Sequence, residues 1–299
     1  MGGLPVAGES PSSALRVYAK GIIMSKSISA QDLSNLSGTS NWPTVVAATR
    51  CFKFEEEARA IAGSVWRDHM QTEVWGPDLA RLGKPVIVYC LHGHNVSQLA
   101  VARLRAQGID ARHLEGGIDA YEAVGGLVLK QRGPDVPLLL PQATRWITRE
   151  RPRVDRIAFA WLVRRFIDPM AEFHFVEAEW VVDIAEEMGA IPFDVDGVTY
   201  SHKRENGELC CVDTLLDLFG IEDPALRHLA RIVRGADTGD LDLAPQAAGL
   251  LAISLGLSSS QDDDLAQLEK GMMIYDALFA WCRHATGETH AWTSGKAVS

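Results

Sequence analysis

Pro85-Val86-Ile87-Val88-Tyr89-Cys90, followed by Leu91-His92-Gly93-His94-Asn95-Val96-Ser97, is the stretch that decides the fold of the first half of this chain. Its apolar, β-branched run predicts a buried strand, and apolar residues at helical spacing from Val96 onward predict a helix. The turn between them places the thiol of Cys90 beside backbone N–H groups and the positive end of the helix dipole, which stabilise a thiolate. Cys90 is therefore predicted to be a nucleophile, the alternative being a buried cysteine at a strand end.

The segments after this helix follow a characteristic order. Gln107-Gly108-Ile109-Asp110 ends the helix, a short segment covers residues 111–114, and Glu115-Gly116-Gly117-Ile118-Asp119-Ala120-Tyr121 comes next. This order resembles the rhodanese family of sulfurtransferases over about residues 30–127. The cysteine loop and the Leu-Glu-Gly-Gly-Ile segment carry most of the resemblance.

The resemblance implies an α/β domain with a five-stranded, mostly parallel central sheet flanked by helices, in which Cys90 carries a persulfide. The loop after the cysteine would form a cradle whose amides stabilise the persulfide charge. The substrate-binding residues implied in this way are Leu91, His92, Gly93, His94, Asn95 and Val96. The implied partners are a small-molecule sulfur donor and a thiol acceptor, and the transfer step requires no cofactor.

Two departures from the family pattern affect the predicted loop. The family often has an aspartate near Ala48 that braces an arginine of the loop, and this sequence has neither. The loop instead offers His92, His94 and Asn95, so anion binding is expected to be weaker or pH-dependent. A phosphatase or arsenate reductase of the Cys-x5-Arg type would need an arginine where this sequence has Val96.

The composition is that of a globular protein. The chain has 299 residues, 47% of them hydrophobic, which is enough for two domains. No apolar run approaches the roughly 20 residues of a membrane-spanning helix, and the first residues do not follow the pattern of a secretory signal. The five cysteines form no spaced pattern, which favours reduced thiols over a disulfide framework or a zinc finger. We expect a cytoplasmic protein.

Charge is distributed unevenly along the chain. Residues 1–145 contain 15 Lys and Arg against 13 Asp and Glu, whereas residues 146–299 contain 14 against 26, which gives net charges of +2 and −12. The acidic second half argues against binding to a nucleic-acid backbone, although such acidity also serves solubility.

The sequence leaves the oligomeric state open, and a homodimer is one of the states considered.

Glycines and prolines between residues 125 and 141 exclude a continuous helix and predict a linker there. Within it, Leu138-Leu139-Leu140 is too apolar for a free tether and is expected to dock on one of the domains. Much earlier in the chain, the acidic segment from Phe54 to Ile61 is predicted to be a helix. The predicted organisation is a flexible extension at 1–27, a rhodanese-like domain at 28–127, a linker at 128–144, a mainly α-helical α+β domain at 145–286 and a tail at 287–299.

The second half resembles a different family. The segments that carry the resemblance are RPRVDRIAFAWLVRRFIDPMAEFHFV (151–176), FDVDGVTYSH (193–202), ARIVRGADTGDLDLAPQAAGLLAISLGLS (230–258) and GMMIYDALFAWCR (271–283). They are similar to the C-terminal domain of chromate-resistance proteins of the ChrB type. The resemblance implies a role in sensing or surviving chromate, with chromate or another oxyanion as a partner. Some relatives are transcription regulators, but their N-terminal region is replaced here by the rhodanese-like one.

Polar residues in apolar surroundings give two candidate sites in the second half. Asp155, Arg156, Arg164 and Arg165 could bind an oxyanion through charge-assisted hydrogen bonds, the alternative being a set of salt bridges between helices. His202, Cys210 and Asp237 have the ligand types of a transition-metal site.

The function predicted from the sequence is a rhodanese-type sulfurtransferase with a Cys90 persulfide, coupled to a chromate-resistance or chromate-sensing domain. One alternative is a non-enzymatic oxyanion or redox sensor in which Cys90 reacts without turnover. The other is a chromate-responsive transcription regulator, which the acidic second half and the lack of a recognisable helix-turn-helix disfavour.

Overall fold

A computed structural model describes residues 25–50, 59–129, 133–136, 142–203 and 209–288. Most of the predicted N-terminal extension and C-terminal tail, and the Leu138-Leu139-Leu140 segment, lie outside these residues. Within the described residues, no helix is both long and apolar enough to cross a membrane.

The first half forms an α/β domain around a five-stranded sheet whose strands are all parallel, as predicted. Its strands are β1 (Ser27–Ile28), β2 (Thr44–Ala47), β4 (Ser64–Trp66), β5 (Val86–Tyr89) and β6 (Ala111–Leu114), in the spatial order β1-β6-β5-β2-β4. A small antiparallel pair joins β3 (Ala60–Ile61) to β7 (Val128–Leu129). The helices are α1 (Ala30–Leu36), α2 (Thr72–Ala80), α3 (Asn95–Ala106) and α4 (Gly117–Ala123).

The central strand β5 is buried along its whole length, which a parallel sheet covered on both faces requires. Alternate residues face opposite sides: Ile87 and Tyr89 belong to one apolar cluster, and Val86 and Val88 to another that includes Leu104 of α3. The strand is thus fixed from both faces, so the residue that follows it has a well-defined position.

The predicted helix from Phe54 to Ile61 is wrong at its end, because Ala60 and Ile61 form β3. Tertiary contacts override the local helical pattern there: β3 pairs with β7, and Ile61 N–H donates to the Tyr89 hydroxyl at 3.1 Å. The rest of that segment, up to residue 58, lies outside the described residues. The partner strand β7 lies within the stretch predicted to be linker.

The second half is mainly helical with one small sheet, in agreement with the predicted class. The parallel strands β8 (Arg145–Arg149), β9 (Glu172–Val176) and β10 (Ile191–Pro192) are ordered β10-β8-β9. The helices are α5 (Val154–Leu162), continued by a π-helical turn (Val163–Ile167), α6 (Val181–Met188), α7 (Cys211–Leu218), α8 (Pro224–Thr238), α9 (Ala247–Ser259) and α10 (Asp264–His284).

The two halves contact each other directly. The N–H of Gly63 donates to the carbonyl of Phe166 at 2.6 Å, and an Arg283 guanidinium N–H donates to the carbonyl of Ser37 at 2.9 Å. Val136, from the segment between the halves, is buried in the apolar core of the second half. One backbone hydrogen bond, one hydrogen bond from a side chain to the backbone and this apolar packing therefore link the two halves.

Candidate functional site

Cys90 lies directly after β5, at the carboxyl end of the central strand, which is where ligands bind in open parallel sheets. Its side chain is largely buried, with 7% of its surface exposed. Its Sγ lies 3.3 Å from the hydroxyl oxygen of Ser97, which in turn is 3.1 Å from the carbonyl of His94. The Ser97 hydroxyl has one proton, so it can donate a hydrogen bond either to that carbonyl or to a thiolate at Cys90.

The backbone after Cys90 supplies a row of free N–H groups. Among the described residues, no acceptor takes the N–H of any residue from Leu91 to Ser97. These groups lie in the loop and in the first turn of α3, whose dipole also favours negative charge. A loop of this kind at a helix N-terminus can bind an anion.

Two glycines hold this loop against the start of α4. Gly93 and Gly117 have φ values of 69° and 63°, which favour glycine. A Cβ atom on Gly117 would lie 2.2 Å from the carbonyl oxygen of Cys90, so no side chain fits there. The N–H of Ile118 donates to that same carbonyl at 3.1 Å. The Leu-Glu-Gly-Gly-Ile segment therefore fixes the backbone of the cysteine loop.

A cavity of about 340 Å³ opens at Cys90. The predicted residues Leu91, His92, His94, Asn95 and Val96 line it, whereas Gly93 forms the turn. Sequence reasoning missed the further lining residues Thr49, Arg50 and Arg59. A signal for the first two existed, because they follow β2, the parallel neighbour of β5, and strand ends of this kind meet at one edge of the sheet.

The rim of the cavity carries a small ion-pair network. The Nδ1 of His92 lies 2.7 Å from Asp119, and Arg59 contacts Asp119 at 2.9 Å and Glu122 at 2.6 Å. Partial burial would raise the pKa of Asp119, but the hydrogen bonds from Arg59 and His92 outweigh it, so the pKa is below its usual value. The carboxylate thus stays ionised and orients the side chains of Arg59 and His92 at the cavity mouth.

A second polar cluster lies at the carboxyl edge of the small sheet. His202 Nε2 is 3.2 Å from Asp155 Oδ2, 3.2 Å from Asp194 Oδ1 and 3.6 Å from Asp237 Oδ2. We call these four residues the carboxylate–histidine cluster. Asp155 comes from the first turn of α5, Asp194 follows β10 and Asp237 lies near the end of α8.

The carboxylates of this cluster are held by groups outside it. Asp155 accepts the N–H of Cys211 at 2.9 Å and that of Val212 at 3.2 Å, at the start of α7. Asp194 Oδ2 lies 3.1 Å from an Arg149 nitrogen and 3.2 Å from Arg156 Nε. The cluster is therefore positioned by a helix N-terminus on one side and two guanidinium groups on the other.

The buried charges shift the pKa values of the cluster. Hydrogen bonds to Asp155 and Asp194 raise the pKa of His202 to about 10. Burial acts to raise the pKa of Asp155, but hydrogen bonds from His202 and Cys211 bring it below the usual value. Burial, together with the charges of Asp155 and Asp194, raises the pKa of Asp237 to about 6.

The structure separates the residues that the sequence grouped in this half. Of the oxyanion candidates, Asp155 and Arg156 lie at the carboxylate–histidine cluster. Arg164 instead pairs with Glu269 at 2.5 Å, and Arg165 makes two hydrogen bonds of 2.8 Å to Asp276. These last two arginines form salt bridges between helices.

The predicted metal ligands are also divided. His202 and Asp237 meet in the cluster, but Cys210 is fully buried and its thiol donates to Asp213 at 3.3 Å. Sequence reasoning missed Asp194 and Arg149. Arg149 is the last residue of β8 and Asp194 lies just after β10, and this position at a strand end is the signal that could have identified them.

Comparison with known families agrees with this two-part organisation. Residues 30–124 match the rhodanese-like domain, and residues 146–282 match the model described as ChrB, C-terminal domain. The chain joins a rhodanese-like domain to a ChrB C-terminal domain. Cys90 and its loop belong to the rhodanese-like domain, and the carboxylate–histidine cluster belongs to the ChrB C-terminal domain.

Relatives of each domain are known. Over 140 residues the chain is 35% identical to Protein ChrB of Cupriavidus metallidurans, a match that spans 46% of this chain and 40% of that protein. A rhodanese-related protein from Thermoplasma volcanium is 28% identical, with a TM-score of 0.31, over 36% of this chain and 99% of that one. A thiosulfate sulfurtransferase from Pseudomonas aeruginosa is 24% identical, with a TM-score of 0.29, over 36% of this chain and 20% of that one.

Proposed function

We propose that the rhodanese-like domain is a sulfurtransferase that carries sulfur as a persulfide on Cys90, and that it serves a chromate-resistance or chromate-sensing role of the ChrB C-terminal domain. The observation that carries the first part is the position of the thiol. Cys90 lines a cavity and is followed by seven residues whose N–H groups have no acceptor within the described chain. Such a site stabilises a thiolate and, after sulfur transfer, a persulfide anion.

The proposed reaction has two steps. The Cys90 thiolate attacks the outer sulfur of a donor such as thiosulfate, a sulfur–sulfur bond forms on Cys90, and the donor's own sulfur–sulfur bond breaks to release sulfite. An acceptor thiolate or cyanide then attacks the outer sulfur of the persulfide and restores the Cys90 thiolate. The Ser97 hydroxyl would donate a hydrogen bond to the sulfur anion at the start and end of the cycle. His92 and His94, at the cavity, would attract an anionic donor.

For the ChrB C-terminal domain we propose chromate or a similar oxyanion as the physiological stimulus. Support comes from the family match and from Arg149, which lines a cavity of about 460 Å³ beside the carboxylate–histidine cluster. The contacts between the two domains would let the state of one affect the other. Reduced cysteines and persulfide chemistry suit the cytoplasm, where we place the protein.

Thiosulfate-to-cyanide turnover tests the enzymatic proposal. We expect thiocyanate formation by the full chain and none above background in Cys90→Ser. Cys282→Ser is the matched control: its thiol is also buried, burial raises its pKa to about 11, and it lies outside the rhodanese-like domain. Equal turnover in Cys90→Ser and the native chain would exclude the proposal. Reaction of Cys90 with one equivalent of donor without turnover would favour the non-enzymatic sensor instead.

A further inference from the structure

The carboxylate–histidine cluster has the geometry of a metal site. The ligand atoms of Asp155, Asp194 and His202 all lie within 4.8 Å of one another. We propose that these three residues bind a divalent first-row transition-metal ion, with Asp237 beside His202 but outside the ligand set. This inference concerns the ChrB C-terminal domain and does not depend on sulfur transfer at Cys90.

The first argument is the convergence of acceptors on one ring nitrogen. Three carboxylate oxygens, one each from Asp155, Asp194 and Asp237, lie within 3.6 Å of His202 Nε2. A ring N–H donates essentially one good hydrogen bond. An ion among the ligand atoms of Asp155, Asp194 and His202 would contact all three at once, which a single N–H cannot do.

The second argument is the charge balance. Three carboxylates are gathered in the cluster, and two guanidinium groups, those of Arg149 and Arg156, contact it. The guanidinium groups balance two of the three carboxylate charges, and the third is balanced either by a protonated His202 or by an ion that takes the place of that proton. Asp155 and Asp194 are only 2% and 6% exposed, and charges buried to that extent are paired or bind metals. A divalent ion at the cluster therefore competes with the imidazolium proton for the same carboxylates.

The third argument is that the ligand side chains are already oriented. Both oxygens of Asp155 are fixed by N–H groups at the start of α7, and Asp194 Oδ2 by two arginines, which leaves Asp194 Oδ1 turned toward His202. Outer partners of this kind orient ligands and tune their affinity in metal sites. The cluster therefore needs little rearrangement to bind an ion.

The donor set indicates which ions fit. One imidazole nitrogen with carboxylate oxygens suits Mn²⁺, Fe²⁺ or Zn²⁺, and the absence of a sulfur ligand in the described cluster argues against Cu⁺. Cys210 does not reach the cluster, because its thiol donates to Asp213. His202 and Asp194 also line the cavity of about 460 Å³, which leaves room for water or an anion on the metal next to Arg149.

Titration of the full chain with Mn²⁺ after chelator treatment tests the site. We expect one Mn²⁺ per chain in the native protein. In Asp194→Asn and in His202→Gln the affinity should fall by more than about 100-fold, because even the loss of an outer partner weakens metal binding about 10- to 100-fold. Asp196→Asn is the matched control, because this carboxylate lines the same cavity but lies outside the cluster. The affinity of this variant for Mn²⁺ should stay within about threefold of the native value.

Circular dichroism establishes that each variant is folded. His202→Gln keeps the test decisive if Asp194→Asn does not fold, since His202 is 23% exposed and less constrained. Substitution with Co²⁺ should give ligand-field bands without the charge-transfer band of a thiolate ligand, unchanged in Cys210→Ser. The proposal is overturned by a lack of saturable Mn²⁺ and Co²⁺ binding at millimolar concentration, or by native affinity in His202→Gln.

Discussion

The two sites of this chain occupy equivalent places but are built from different groups. Each lies at the carboxyl end of a parallel sheet, Cys90 after β5 and Asp194 after β10. Around Cys90 the polar groups are mostly backbone N–H groups of one loop. Around His202 they are charged side chains drawn from several elements.

This difference determines how each site depends on the sequence. A site made of backbone N–H groups requires a particular loop conformation, so the glycines that permit the conformation matter more than the loop side chains. A site made of buried charges requires every charge to have its partner, because an unpaired buried charge is strongly destabilising. Loss of a reacting side chain at the first site should therefore impair catalysis, whereas loss of a buried charge at the second should impair stability.

The largest stability effect is expected for Asp155→Asn. The substitution removes the negative charge that accepts two α7 N–H groups and pairs with His202, so we expect a loss of about 3–5 kcal/mol in the free energy of unfolding. Urea unfolding in the presence of a chelator measures it. Cys90→Ser, at the other site, should change the same quantity by less than about 1 kcal/mol. Similar losses in the two variants would remove the distinction drawn between the sites.

Gly117→Ala should abolish most sulfur transfer. Its Cβ would overlap the carbonyl oxygens of Cys90 and Leu91, at 2.2 and 2.5 Å, and its φ of +63° is strained for alanine. Strain and overlap together should lower the free energy of unfolding by about 3 kcal/mol. Gly125→Ala isolates the strain alone, because its φ is +79° and nothing lies within 4 Å of the added atom. Native turnover in Gly117→Ala would show that the loop conformation does not govern the chemistry.

Ser97→Ala is expected to have an intermediate effect on turnover. Removing the hydroxyl 3.3 Å from Cys90 Sγ deletes one hydrogen bond to the sulfur anion, which corresponds to about a 10-fold or larger decrease in kcat. Ser258→Ala removes a similarly buried hydroxyl in the ChrB C-terminal domain and should leave kcat unchanged. A Ser97→Ala enzyme with native kcat would mean that the N–H groups alone stabilise the anion.

Asp119→Asn should give the smallest change. Asp119 and His92 are exposed and Arg59 is partly exposed, so solvent screens the contacts between them, and pairs of that kind contribute at most about 1 kcal/mol. We expect KM for thiosulfate to change by no more than about threefold, and the difference to disappear at about 1 M salt, where screening is nearly complete. Steady-state kinetics at low and high salt measure this. A large effect that persists in salt would place Asp119 in the reaction itself.

The same difference between the two sites explains how much of each could be predicted from the sequence. The Cys90 loop could be predicted because strand, turn and helix are contiguous in the chain, from Val86 to Ala106. Gly117 was noted only as part of a segment that resembles a family, and its role was not predicted because its contact with Cys90 comes from folding. The helix predicted from Phe54 was wrong at Ala60 and Ile61, because pairing with β7, far along the chain, outweighs local propensity.

The second site was harder to predict because it is assembled from distant segments. Asp155 and Arg156 were named, but Asp194 and Arg149 come together only when β10 pairs with β8. Residue type and short spacing suggested Cys210 as a partner of His202, whereas the fold turns that thiol toward Asp213. Likewise Arg164 and Arg165 pair with α10, more than 100 residues away, a distance that no local pattern spans.

The mass of the protein after one exposure to thiosulfate tests the central claim most directly. The account predicts that the full chain gains the mass of one sulfur atom, that the sulfur lies on the peptide containing Cys90, and that cyanide removes it. No gain in mass, or sulfur found on Cys210, Cys211 or Cys282 instead, would contradict it.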